Sequence, residues 1–411
     1  MPPRLLPRTL TILVVAIVIA AFAGMRVAAA DWPQFRGSEQ NGISTEKGLL
    51  QEWPDGGPQQ LWKAELGSGY SGMTVVGDRL YTMFGRGGET YVGCFDATSG
   101  KELWSFNAGR QWKDSQGDGP RSTPTVDGEV VYAVTANGVL FALSTTEGAE
   151  LWKRDLVKSY KAKIPKWGMS GSPVIVGNLL LLEVGGPEVL MAAFDKTSGD
   201  EVWRSRAGNA GYSTPYLMTA DGVSQAVFFT AEKLYSVAPD TGKVYWQKPW
   251  KTSWDVNAAM PIFIAPDRLF VSSGYDTGAA LLEISGDARS MKVDEVWTSR
   301  EMKNQFSSSI YHDGYLYGFD NKNLTCLDAK TGERRWRERD LGHGSLMLAD
   351  GHLIVLGDKG QLVLVEASPE AYREKGRVQL FKGKTWTVPT LSGGRLFVRD
   401  ENEMVALRVT K

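Results

Sequence analysis

One ten-residue pattern recurs along this 411-residue chain and restricts its fold more than any other feature. FDATSGKELW at Phe95–Trp104 returns as FDKTSGDEVW at Phe194–Trp203 and LDAKTGERRW at Leu327–Trp336, with looser copies ending at Trp152 and Trp246. In all five a glycine (Gly100, Gly148, Gly199, Gly242 or Gly332) stands four residues before the tryptophan. An apolar residue, a run of turn formers, a glycine and an apolar-plus-Trp segment spell strand, tight turn, strand. The glycine supplies the positive φ of such a turn, and Asp96, Asp195 and Asp328 suit side-chain bonding to its backbone. Each tryptophan is expected to bury its ring against the neighbouring sheet.

The tryptophan markers run Trp62, Trp104, Trp152, Trp203, Trp246, Trp297 and Trp336, at intervals of 39 to 51 residues. That spacing matches the ~40–50 residues of a four-stranded propeller blade. Eight two-residue turns between apolar runs, from Gly77-Asp78 to Gly393-Gly394, mark one hairpin per blade. The last unit stops at Lys411 without a closing turn–Trp strand, and Leu61-Trp62-Lys63 is such a strand without its beginning. A ring closed by that strand leaves only short, protected edges. The expected fold is all-β: an eight-bladed β-propeller of four-stranded antiparallel blades over residues 61–411. Two blades depart from the pattern, because Trp297 lacks the turn signature and Glu366–Arg377 (EASPEAYREKGR) has no tryptophan. Both are expected to have irregular outer strands.

Residues 1–30 read as a signal peptide: Arg4 and Arg8, an apolar run from Leu10 to Gly24, and Ala28-Ala29-Ala30 before Asp31. The apolar run is short for the ~20 residues of a spanning helix, so an uncleaved anchor facing the periplasm is the alternative. No cysteine lies near the junction to accept lipid. Loss of the segment removes Arg4, Arg8 and Arg26 and takes the formal charge from −1 to −4, which gives no footprint for nucleic acid. The product is expected to be exported, with no membrane span and a monomeric state. Residues 31–60 read as an extended lead-in with turns at Asn41-Gly42 and Asp55-Gly56. Cys94 and Cys326 occupy the same repeat position three blades apart, too far to bridge, and are expected to be buried free thiols.

The D-x-x-[ST]-G-[KDE]-x-x-W signature resembles the repeat of the pyrroloquinoline-quinone (PQQ) propeller family. The resemblance covers essentially the whole mature chain. That family includes quinoprotein alcohol dehydrogenases and the assembly factor BamB, both eight-bladed, so the motif implies the fold and leaves the activity open.

In such a ring the lead-ins to the innermost strands crowd one face. Many here carry an aromatic or cationic residue just before a small one, as in Gly69-Tyr70-Ser71 and Gly211-Tyr212-Ser213. Candidate ligand-binding residues at this mouth are Arg110, Arg121, Lys166, Trp167, Tyr212, Asn257, Lys303, His343, Lys384 and Trp386. Trp112, Lys163 and Lys251 extend the set, and together they form a basic, aromatic-edged opening suited to a small planar anion. The competing reading packs Tyr70, Tyr212 and Phe306 between blades and leaves the cations solvated.

No catalytic residue is assigned, and the metal question stays open. A quinoprotein dehydrogenase requires a cation such as Ca²⁺ on the quinone and a carboxylate base. Asp114, Asp118, Asp255 and Asp276 lie in candidate loops for that role, although loop aspartates also serve as turn formers. The family's enzymes use adjacent cysteines as one wall of the cofactor site, and here Cys94 and Cys326 are far apart. No C-x-x-C-H motif holds a haem. His312 and His352 flank hairpin turns and are expected to be exposed, leaving His343 alone in a lead-in. The favoured reading is an exported, non-catalytic scaffold, similar to BamB, that binds a protein or peptide partner at the propeller face. The alternatives are a PQQ- and Ca²⁺-dependent dehydrogenase of alcohols or sugars, and a binder of a small anionic ligand without turnover.

Overall fold

The computed structural model describes residues 30–411 apart from Arg206. The leader expected over residues 1–30 therefore lies, but for Ala30, outside the described residues. Eight sheets form the ring: blade 1 (74–110), blade 2 (125–155), blade 3 (174–204), blade 4 (216–249), blade 5 (262–299), blade 6 (310–338), blade 7 (345–379) and blade 8 (390–408). Gln59–Glu65 is the outermost strand of blade 8, pairing antiparallel with Glu403–Arg408. The ring is closed by the N-terminal strand, as the sequence predicts. One short helix, Leu156–Tyr160, is capped by the Asp155 side chain and buries Leu156 and Tyr160 between blades 2 and 3.

Period-two alternation decides which way each strand faces. In Arg79–Arg86, Leu80 and Phe84 face blade 8, whereas Tyr81 and Met83 face blade 2. Both faces of every blade are thus apolar, and eight hydrophobic clusters fill the eight interfaces. Cys94 and Cys326 are buried free thiols in two of these clusters.

The repeat glycine and tryptophan meet across blades, not within one. The indole N–H of Trp104 in blade 1 donates to Thr145 O in the turn of blade 2, 3.0 Å away. Its ring lies over Gly148 of that turn, where an added Cβ would sit 2.5 Å from the ring. Trp62, Trp152, Trp203 and Trp297 repeat the arrangement on Gly100, Gly199, Gly242 and Gly332. In every outer strand a one-residue bulge precedes the tryptophan position, which is why Leu103, Leu151, Val202 and Val296 are exposed there.

The two deviant blades differ from expectation in an informative way. Their outer strands, Lys292–Ser299 and Glu374–Gln379, are regular and keep the same bulge, so the irregularity is confined to the connections before them. In blade 5 Val293 stands four residues before Trp297 where the repeat has its glycine, and Trp246 instead bonds Gln225 Oε1 of its own blade at 2.9 Å. In blade 7 the tryptophan position is Gly376, and Trp53 from the lead-in fills the space, 2.5 Å from where a Gly376 Cβ would be.

The lead-in is a buried part of the ring. Trp32 pairs with Val75 of blade 1, and Pro33 O accepts from Val126 N of blade 2. The Gln40 amide imitates a strand partner for blade 4, donating to Pro215 O and accepting from Leu217 N, both at 3.0 Å. Ile43–Ser44 then adds a fifth, parallel strand inside blade 7. Arg36, 1% exposed, donates to the carbonyls of Gln40, Asn41, Ser308 and Ser309. Burial pulls its pKa down to about 10, which still leaves it charged at neutral pH. This segment plugs the channel at the face that carries the hairpin turns.

Candidate functional site

The opposite face opens into a cavity of about 610 Å³ at the centre of the ring. Its floor includes Phe35 from the plug. Above the floor, Thr123, Ser172 and Thr214 line the wall while sewing blades together: Gly72 N, Thr123 N and Ser172 N donate to Thr123 Oγ1, Ser172 Oγ and Thr214 Oγ1 at 2.9–3.0 Å.

The mouth is a belt of rings. On one side Tyr70, Trp386, Phe306 and His343, from blades 1, 8, 6 and 7, are joined by centroid separations of 5.2, 5.0 and 6.1 Å. Across the ring stand Trp167 and Tyr212 of blades 3 and 4, 5.7 Å apart. Trp254, 65% exposed and with a φ of 131°, projects at the rim beside Lys166, whose Nζ lies 4.8 Å from its centroid and 5.2 Å from that of Trp167. A tryptophan held at that φ is strained, a condition that concentrates at functional sites.

Of the ten sequence-derived candidates, Arg121, Lys166, Trp167, Tyr212, His343 and Trp386 line the cavity, and Lys384 borders it through Trp386, 4.3 Å from the ring centroid. Three do not belong there. Arg110 is exposed at the end of the outer strand of blade 1. Asn257 is fully buried, donating to the carbonyls of Thr230, Ala231 and Trp250 and accepting from Ser273 Oγ. Lys303 is turned to Asp320, 3.2 Å away. His352, expected to be exposed, is buried, with Nδ1 3.0 Å from Asp350 O.

The cations are mostly spent inside the protein. Arg121 pairs with Asp114 at 2.5 Å and donates to the carbonyls of Gly117, Gly119 and Trp167. Burial lowers its pKa, opposed by Asp114 and Tyr70. Lys384 is 3.8 Å from Glu401 and donates to Gln116 O and the Tyr70 hydroxyl. Lys251 pairs with Glu232. Burial pushes the Tyr212 hydroxyl up to about 12, and lowers the His343 pKa so that its imidazole is neutral at pH 7.

Oxygen donors for a quinone-bound cation do not converge here. Among the described residues no group of three or more His, Cys, Asp or Glu side chains is placed to hold a metal ion. Asp114 is engaged by Arg121 and by the Trp112 indole N–H. The side chains that line the cavity therefore offer no carboxylate cluster to a quinone-bound Ca²⁺.

Sequence reasoning missed Phe35, Gln116, Trp254 and Tyr275 of the lining. A signal for Trp254 was available. Seven of the 14 tryptophans are repeat markers; the other seven lie in the lead-in (Trp32, Trp53) or in upper-face connections (Trp112, Trp167, Trp250, Trp254, Trp386). Phe35 had none, because the lead-in carries no period.

A sequence profile of the family described as outer membrane protein assembly factor BamB matches residues 54–183, 88–338 and 322–410. The chain is 22% identical over 315 residues to BamB of Shewanella oneidensis, covering 72% of this chain and 70% of that one. It is 26% identical over 316 residues to BamB of Burkholderia pseudomallei, covering 73% and 74%. Among solved structures, BamB from Moraxella catarrhalis superposes with a TM-score of 0.62 at 16% identity, covering 85% of this chain and 97% of that one. Quinohemoprotein alcohol dehydrogenase from Comamonas testosteroni gives 0.66 at 12% identity, covering 93% and 81%. At such identities both superpositions speak for the fold alone.

Proposed function

The chain belongs to the family described as outer membrane protein assembly factor BamB, and on that premise we propose that it is an exported, non-catalytic propeller that holds a protein or peptide partner at its open face. The periplasm is the compartment that the leader-like residues 1–30 and the relatives' name support. One observation carries the reading: Arg121 in the lining and Lys384 beside it are neutralised within the protein, so the funnel presents mainly ring faces instead of an anion cradle. Rigid rings from many blades give large contact area at little entropic cost, as partner-binding surfaces require. No carboxylate lines the cavity among the described residues.

The test is a paired titration of the purified mature chain. Extended peptides bearing a large apolar side chain should bind, and Trp386→Ala should weaken them with the melting temperature nearly unchanged. Addition of PQQ and Ca²⁺ should give no dye-linked alcohol oxidation. Turnover under those conditions would overturn the reading in favour of a quinoprotein dehydrogenase.

A further inference from the structure

Lys166 differs from every other cation assigned to the mouth that reaches the cavity. Arg121 and Lys384 have carboxylate partners at Asp114 and Glu401. Lys166 is exposed, lines the cavity, and among the described residues makes ring contacts but no ion pair. It is held between Trp167 and Trp254, so its charge is aimed at whatever rests on those rings. Three hydroxyls of the lining already have partners, whereas the Trp386 indole N–H and His343 Nδ1 are buried with none among the described residues. The Tyr70 hydroxyl donates to Glu401, the Tyr212 hydroxyl accepts from Trp167 N, and the Tyr275 hydroxyl accepts from Gln305 Nε2.

We propose that the funnel selects an extended polypeptide segment that seats one large apolar side chain between the two aromatic walls and sets an acidic residue against Lys166. This rests on the partner-binding reading above and adds the chemistry of the partner. Three observations point the same way. The walls come from opposite sides of the ring, blades 6, 7, 8 and 1 against blades 3 and 4, so an aromatic or aliphatic side chain entering along the axis meets rings on both sides. The plug closes the far end with Phe35, so the cavity is blind and the rest of the segment must leave across the rim. Trp254 stands 65% exposed on that rim with Lys166 beside it, which places ring contact and positive charge together on the exit path. Among the described residues Lys166 lines the cavity without an ion pair and no carboxylate lines it, which makes the site complementary to acidic flanks and penalises basic ones.

The experiment uses the mature chain and three nine-residue peptides of equal length: one central tryptophan flanked by glutamates, the same flanked by lysines, and the glutamate peptide with alanine at its centre. Binding is read by calorimetry at low and at physiological salt. The acidic tryptophan peptide should bind roughly tenfold more tightly than the basic one, with the gap narrowing as salt rises, and the alanine peptide should be weakest. Lys166→Glu should reverse the preference between the first two, and Trp254→Ala should weaken both on the order of tenfold. Arg110→Glu, on the exposed end of the outer strand of blade 1, should change neither. Equal binding of the acidic and basic peptides, still sensitive to Trp254→Ala, would overturn the charge selection and leave face binding standing. If none of the three binds while the variants melt like the parent protein, both readings fall.

Discussion

Replacing Gly148 by alanine tests the reasoning behind the repeat. Gly148 has a φ of 70°, and an added Cβ would lie 2.5 Å from Cε3 of Trp104 in the preceding blade. The Trp104 ring is not free to retreat: its N–H is bonded to Thr145 O, and its other neighbour is Tyr81, with ring centroids 6.0 Å apart. The left-handed backbone alone costs a non-glycine residue about 1 kcal/mol. Forcing a methyl into a packed interface adds roughly 1–3 kcal/mol, so Gly148→Ala should cost about 2–4 kcal/mol. Gly128 is the control, having a φ of 58° and nothing within 4 Å of an added methyl, so Gly128→Ala should cost only about 1 kcal/mol. Trp104→Ala should cost about 3–5 kcal/mol through the void it leaves. In the double variant the methyl occupies part of that void, so the two costs should fall short of additivity by about 1 kcal/mol or more. Urea midpoints, compared at a common slope, read all four proteins. Equal losses for Gly148→Ala and Gly128→Ala, or strict additivity in the cycle, would show that the glycines serve only the turn and that the interlock is not an energetic unit.

Glu183 predicts a pH dependence. Among the described residues its buried carboxyl has the Gly211 N–H, at 2.8 Å, as its one hydrogen-bond partner, and burial pushes its pKa up to about 8 from 4.5. The folded state therefore keeps a proton that the unfolded state has lost, so stability is full below about pH 4.5 and falls as pH rises towards 8. At about 1.36 kcal/mol per unit the loss at pH 7 is about 3 kcal/mol. Glu183→Gln should melt higher than the parent at pH 8 and equal it near pH 4.5; parallel pH profiles would refute this. Arg36→Met keeps the volume but leaves the carbonyls of Asn41, Ser308 and Ser309 without their donor, and should cost about 3–5 kcal/mol with faster proteolysis of the lead-in. Trp53→Ala should destabilise by about 3–5 kcal/mol, as Trp104→Ala does, because it fills the position that Gly376 leaves empty in blade 7; a loss under 1 kcal/mol would show that the lead-in merely rests on that blade.

The ring was legible because its interfaces are built from local, repeated chemistry. Glycine in a left-handed turn and tryptophan after a bulge are four residues apart in sequence, so each blade carries both halves of the interlock, one for each neighbour. The closing strand was legible for the same reason: Trp62 carries the bulge at Leu61 and the partner glycine, Gly100, of every ordinary blade. Trp53 was not, since its role follows from a tryptophan missing more than three hundred residues away, and Gly376 reads as an ordinary glycine until the strand register is known. The mouth was half legible. Lead-in position told which residues approach the axis, and six of ten candidates line the cavity. Position could not tell that Asn257 turns outward to cap three carbonyls, or that Lys303 meets Asp320 on the adjacent hairpin. Those choices depend on partners distant in sequence, which no period reports.

The same separation explains how one ring architecture serves proteins as different as assembly factors and dehydrogenases. Stability resides in the eight interfaces and in buried bonds such as those of Arg399, whose guanidinium joins blade 8 to the carbonyls of Gly67, Gly69, Ser71 and Met83 in and before blade 1. None of these groups needs the side chains at the mouth, so the mouth is free to vary without loss of fold. What it has become here follows from where its charges went. Asp114 could be a base only if Arg121 released it, and Arg121 also holds Trp167 O and Gly117 O, so freeing the carboxylate would dismantle the wall beside Trp167. The acid is therefore part of the frame, and Lys166, which has no ion pair among the described residues, sits at the rim between two rings. A site with its charge at the lip and rings within suits the proposed partner, a chain that passes over the edge.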